Sequence, residues 1–156
     1  MNEQYLTLQQ KASAYCSLSE HCESEVREKL TAWGCDDPVI AQQVIDYLVE
    51  NSFLSDSRYC SAYTHDKLLY QGWGKRKIEM MLRQKKLPQA DIREALDSID
   101  DEQYTTILQT LLQKKARSLR RETGDMLQMK LLRFAASRGF DYESSIRIIK
   151  ELLSKG

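Results

Sequence analysis

Residues that break regular structure are scarce in this chain. Two prolines and six glycines punctuate 156 residues, and no Asn-Gly or Asp-Gly pair offers a hairpin turn. Alternation with a period of two is not sustained anywhere, so strands are not expected. No run approaches the roughly 18 consecutive apolar residues that span a bilayer. The opening MNEQYLTLQQ has neither the basic nor the apolar part of a secretion signal. A soluble, cytoplasmic protein without a membrane partner is the expectation. The four cysteines, Cys16, Cys22, Cys35 and Cys60, make no Cys-x-x-Cys pair and are expected as reduced thiols.

Chemistry-bearing signatures are missing too. There is no Gly-rich phosphate loop, no Gly-x-Ser-x-Gly, no His-Glu-x-x-His and no calcium loop. Of the two histidines, His21 adjoins Cys22 and lies near Cys16, but that spacing matches no standard zinc pattern. No metal, no cofactor and no enzymatic activity are expected. Net charge is also absent, with 23 basic and 23 acidic residues, which argues against a wholly basic nucleic-acid binder.

What is present is helical spacing. Apolar residues recur at three and four: Val26, Leu30 and Trp33; Ile40, Val44, Tyr47 and Leu48; Tyr59, Ala62 and Tyr63; Ile78, Met81 and Leu82; Leu131, Phe134 and Ala135. Asp36-Asp37-Pro38, Ser55-Asp56, Asp125 and Asp141 supply start signals, and Gly34 and Gly139 stand where helices should stop. Cys22 with Glu25 three residues on reads as a capping box with Cys in place of Ser. The fold class is all-α, with nine helices expected near 8–17, 22–34, 37–50, 56–71, 75–86, 89–99, 102–117, 126–138 and 142–153.

The nine fall into three threes. At an offset of 52, Val26 meets Ile78, Leu30 meets Leu82, Cys35 meets Leu87, Ile40 meets Ile92 and Val44 meets Leu96. At 105, Gly34 meets Gly139 and Cys35 meets Phe140; a one-residue adjustment then brings Ile146 under Ile40. Three tandem three-helix units follow, at 1–53, 54–100 and 101–156, each marginal alone and leaning on its neighbours. The polar cluster within LSDSRYCSAY is the joint between the first two, and an elongated curved rod is the expected shape.

Charge is unevenly spread. Residues 1–60 carry ten acidic and four basic side chains, 61–121 eight and thirteen, and 122–156 five and six. Two clusters make the middle basic: Lys75, Arg76, Lys77, Arg83, Lys85 and Lys86 in GWGKRKIEMMLRQKK, and Lys114, Lys115, Arg117, Arg120 and Arg121 in KKARSLRR. Single charge runs are usually solvated helix faces. Three cations in a first helical turn, however, oppose the helix dipole, so a phosphate-rich or acidic partner is the better reading. Tyr70 and Trp73 flank the first cluster and could stack on a base, although Trp73 between two glycines also suits a packing plug for the turn.

Several segments together resemble one family. HCESEVREKLTAWG, FLSDSRYCSAY, YQGWGKRKIEMMLRQKKLPQADIREAL and KLLRFAASRGFDYESSI are similar, in order and spacing, to the bacterial RecX family of recombinase regulators. The resemblance runs from about Ala12 to Leu153 and implies three helix-turn-helix-like units. It implies a non-enzymatic regulator that lies along the RecA filament on single-stranded DNA and suppresses ATP hydrolysis, strand exchange and co-protease activity. Such a protein would act as a monomer and bind single-stranded DNA only weakly alone. Lys75, Arg76, Lys77 and Arg83 match the family's basic helix, whereas Lys75 replaces its Pro and Glu102 its usual Trp. The runner-up reading is a helix-turn-helix-like DNA-binding module that acts without RecA, and a third is a generic helical scaffold for an acidic protein.

Overall fold

The computed structural model describes residues 2–155. Among them run nine α-helices and no strand: α1 (Glu3–Leu18), α2 (Glu23–Ala32), α3 (Pro38–Glu50), α4 (Asp56–Leu69), α5 (Lys75–Gln84), α6 (Gln89–Asp97), α7 (Asp101–Ser118), α8 (Gly124–Ser137) and α9 (Tyr142–Ser154). The expected number and order hold. The largest correction is α1, which begins five residues before the expected start because the Asn2 side chain accepts the N–H groups of Gln4 at 2.7 Å and Tyr5 at 3.3 Å. Helix α8 also starts early, at Gly124, with Thr123 as its N-cap residue.

Capping follows the sequence signals elsewhere. Asp37 accepts from Val39 N–H, with Pro38 at the first helical position, where its missing donor costs nothing. Asp141 accepts from Ser144 N–H at 2.9 Å, and Ser55 Oγ accepts from Arg58 N–H at 3.2 Å. The Cys22–Glu25 capping box forms, with the Glu25 carboxylate accepting Cys22 N–H at 3.2 Å.

The repeat is written in the helix ends. After α2, Cys35 N–H reaches back to Leu30 O at 2.9 Å; after α5, Leu87 to Leu82 at 3.4 Å; after α8, Phe140 to Ala135 at 3.0 Å. Each closing turn needs a left-handed residue just before the returning N–H. Gly34 (φ 91°) and Gly139 (φ 95°) fill that place, and Lys86 (φ 64°) fills the equivalent one without the freedom of glycine. The one-residue adjustment proposed for the last helix is not needed. At an offset of 105, Ile40 meets Ser145, which is buried and donates its hydroxyl to Asp141 O at 2.7 Å, while Ile146 is only half-buried. A polar residue in an apolar register misled the pattern. Ala62, read as part of an apolar stripe, is exposed.

The residues divide into two compact units. One comprises 1–62 and 82–93. In it α1, α2 and α3 pack on one another around Leu8, Ala12, Val26, Leu30, Val44, Ile45, Leu48 and Leu54. Each fully buried Leu or Ile there contributes about 1.5–3 kcal/mol. The other comprises 63–81 and 94–156, where α7, α8 and α9 pack mutually and Leu68, Ile78, Leu108, Leu112, Leu131 and Ile149 are buried. The four cysteines are buried free thiols, and burial pushes Cys16 up to about 11 and Cys60 up to about 12. No described helix is long and apolar enough to cross a membrane.

Candidate functional site

The first basic cluster is anchored at the start of α5. Gly74 donates its N–H to Arg138 O at 2.7 Å, and Arg76 donates to Gly139 O at 3.0 Å, so α5 begins in backbone contact with the turn between α8 and α9. Only glycine permits this approach. A Cβ on Gly74 would lie 2.5 Å from the Gly139 carbonyl, and one on Gly139 would run into Lys77 Cβ.

This anchorage explains most of the charge placed against the helix dipole. The N–H of Lys75 is accepted by the Tyr104 hydroxyl at 2.9 Å, and that of Arg76 by a carbonyl, so two orphan donors are already satisfied. The Lys75 ammonium lies 4.9 Å from the Tyr104 ring centroid, and that of Lys77 lies 4.4 Å from the Trp73 ring centroid. Lys75 and Lys77 are therefore half-buried structural cations, and Arg76 is the exposed one of the three. Burial pushes the Tyr104 hydroxyl up to about 12, with Asp141 adding to the rise against the Lys75 N–H bond and Arg76. Burial also tends to raise the Asp141 carboxyl, but its hydrogen bonds to Ser144 and the charge of Arg76 bring it below the ordinary value.

Trp73 fits the packing role. Lys67 lies 5.0 Å from its ring centroid in addition to Lys77, and Tyr63 meets it edge-on at 6.4 Å. Tyr70 is 79% exposed.

The rest of the first cluster belongs to the other unit and has different surroundings. Lys85 pairs with Glu25 at 3.0 Å, and Glu25 also bonds His21 at 3.1 Å and accepts from Tyr59 at 3.4 Å. Burial tends to raise the Glu25 carboxyl; the Lys85 and His21 bonds outweigh it and hold the group below its ordinary value. Arg83 is exposed and donates to Gln89 Oε1 at 3.2 Å, and Lys86 is exposed at its left-handed turn. Of the second cluster, Lys114, Arg117, Arg120 and Arg121 are exposed, while Lys115 is half-buried with its ammonium 5.4 Å from the Phe134 ring.

Several residues that organise these surfaces escaped the sequence reading. Arg58 ties the joint after α3 to the α1–α2 turn, bonding Glu20 at 2.9 Å and Ser52 O at 2.9 Å. Tyr104 receives the α5 N-terminus, and Arg138 donates to Gln71 O at 2.8 Å. The Tyr104–Leu108–Leu112 spacing is a signal that could have placed Tyr104 on a core face, but it carries nothing of the hydroxyl's role. His21 bonds Ser19 and Glu25 and stacks on Tyr15 at 3.7 Å. Among the described residues, no group of three or more His, Cys, Asp or Glu side chains could hold a metal ion.

Comparison with known proteins follows the three triplets. Family models described as the first, second and third three-helix domains of RecX match residues 10–48, 55–96 and 101–149. The chain is 37% identical over 134 residues to "Regulatory protein RecX" of Clostridium botulinum strain Eklund 17B, covering 85% of this chain and 62% of that protein. It is 29% identical over 153 residues to the protein of the same name from Clostridium tetani, covering 97% and 69%. The chain thus spans about three fifths of the length of the first of these relatives. Among solved structures, it is similar to that of RecX from Lactobacillus salivarius, with a TM-score of 0.89, 20% identity and full coverage of both chains. A second structure, of a regulatory protein RecX, gives 0.85 at 19% identity, covering 99% of this chain and 73% of that one.

Proposed function

Because the chain belongs to the RecX family, whose three domain models it matches in succession, we propose that it regulates the RecA recombinase by binding. It holds the RecA filament on single-stranded DNA and lowers its ATP hydrolysis, strand exchange and co-protease activity. It works in the cytoplasm as a monomer, in three functional units at 1–53, 54–100 and 101–156, and performs no chemistry of its own. Regulation needs only a difference in affinity between states of the filament.

The observation that carries this reading is the ordered succession of the three RecX domains over most of the chain. The exposed cations Arg76 and Arg83, seven residues apart on α5, support a contact with phosphates or acidic side chains along one helix face. The other exposed cations of the two clusters, Lys86, Lys114, Arg117, Arg120 and Arg121, add to the positive charge of the chain's middle third.

The test is the rate of DNA-dependent ATP hydrolysis by RecA of the same source, titrated with this protein at moderate salt, beside a DNA-only binding measurement. Inhibition at or below stoichiometric levels, with weak binding to DNA alone, is expected. Unchanged hydrolysis with tight, salt-sensitive DNA binding would instead make the chain a DNA-binding module independent of RecA.

A further inference from the structure

Residues Lys115, Leu119, Lys130, Arg133, Phe134 and Ser137 line a cleft of about 350 Å³ formed by the end of α7 and the outer face of α8. We propose that this cleft is a docking site for an acidic segment of a protein partner, with one large apolar side chain of that segment seated on Leu119 and Phe134. The inference rests on the reading above, that the chain works by holding partners, and names the chemistry of one of them.

The floor is apolar and the rim is cationic. Leu119 and Phe134 are half-buried, so a partner side chain laid on them removes apolar surface from water on both sides. Around the floor stand Lys115, Lys130 and Arg133. The chain from Gln103 to Arg121 contains no acidic residue, so the exposed Lys114, Arg117, Arg120 and Arg121 reinforce the positive rim. Lys130 is paired with Glu122. Arg133, in contrast, donates to Met129 Sδ at 3.7 Å, a weak acceptor that leaves its charge for a carboxylate to meet.

The same features disfavour nucleic acid as the occupant. Base stacking needs a whole open aromatic face, which Lys115 and Arg138, 5.4 and 5.2 Å from the Phe134 ring centroid, partly cover; a side chain needs only the part of the half-buried ring that stays exposed. Met126 and Met129, 50% and 49% exposed on α8, extend the apolar surface beyond the cleft. Flexible methionines adapt to a partner's side chains and offer nothing to a phosphate.

The test uses the full chain and fluorescence anisotropy with three probes. One is a labelled peptide with Phe-Leu between runs of Asp and Glu, the second has Ser-Ser in place of Phe-Leu, and the third is a labelled oligo-dT strand. The acidic Phe-Leu peptide should bind, and the Ser-Ser version should bind at least about tenfold more weakly, as expected for a lost anchor. Arg133→Glu should weaken the Phe-Leu peptide at least about tenfold while changing oligo-dT binding less than about twofold. Arg147→Glu, a matched charge change at an exposed position on α9, should leave peptide binding within about twofold, with circular dichroism confirming that both variants are folded. Equal binding of the two peptides, no peptide binding by the wild type, or an equal loss of peptide and oligo-dT with Arg133→Glu would overturn the proposal. The RecA hydrolysis titration is separate, so wild-type protein that binds the peptide but leaves RecA untouched would count against the functional reading alone.

Discussion

Lys86 shows what one residue contributes when a repeat is read through its backbone. It stands where Gly34 and Gly139 stand in the other two triplets, with φ 64° and a Cβ that this region penalises by about 1 kcal/mol or more. Lys86→Gly is therefore expected to raise stability by about 0.5–1 kcal/mol, read as a higher urea midpoint with an unchanged slope. An unchanged midpoint would mean that Lys86 gains from contacts elsewhere what its backbone loses. The glycine position was visible in the sequence twice, and its third occurrence was hidden because the residue type did not follow the conformation.

At the scale of elements, the start of α5 is held by backbone, and the consequences differ between two glycines. Gly74→Ala sets a methyl group 2.5 Å from the Gly139 carbonyl, backbone against backbone, and is expected to cost about 2–4 kcal/mol. Gly34→Ala meets nothing within 4 Å and should cost only its left-handed strain, about 1 kcal/mol. Paired denaturation curves decide this, and similar losses would argue against the close approach. The Glu25 network makes a second prediction, about pH. Glu25 titrates below its ordinary 4.5 when folded, so the unfolded chain binds the extra proton in the window beneath that value. The stabilisation is then complete above about pH 5 and is lost as pH falls through the folded value. Glu25→Gln should be less stable than wild type by about 1 kcal/mol at pH 7, and the two stability curves should converge as pH falls below the folded value of Glu25. Parallel curves across that range would remove Glu25 from the acid limb. Asp56, which burial and then Glu23 and Asp91 shift the opposite way, is present in both proteins and cancels from the comparison.

For the molecule as a whole, function is expected to separate from stability at exposed cations. Arg76→Glu with Arg83→Glu should weaken inhibition of RecA hydrolysis about tenfold or more, an effect of charge reversal on a partner contact. Both side chains are exposed, so the melting temperature should move by only a few degrees. Full inhibition by the folded double variant would move the contact away from α5. Lys75 and Lys77 make poor alternatives for such a test, because their ammonium groups lie over Tyr104 and Trp73 and their loss would disturb packing.

The sequence by itself determined the all-α class, the nine helices and the threefold repeat, because helical spacing and capping residues are local and act within a few positions of one another. It also located both basic clusters, since charge is carried by residue type. Only the tertiary structure decided which of those charges are engaged: Lys85 faces Glu25 from 60 positions away in the chain, and Lys75 faces Tyr104 from 29. It also decided that Ser145 belongs to a buried register and that the α5 N-terminus rests on the Gly139 turn. Such pairings depend on which elements pack together, and the reach of a local pattern ends at the turn that closes each helix.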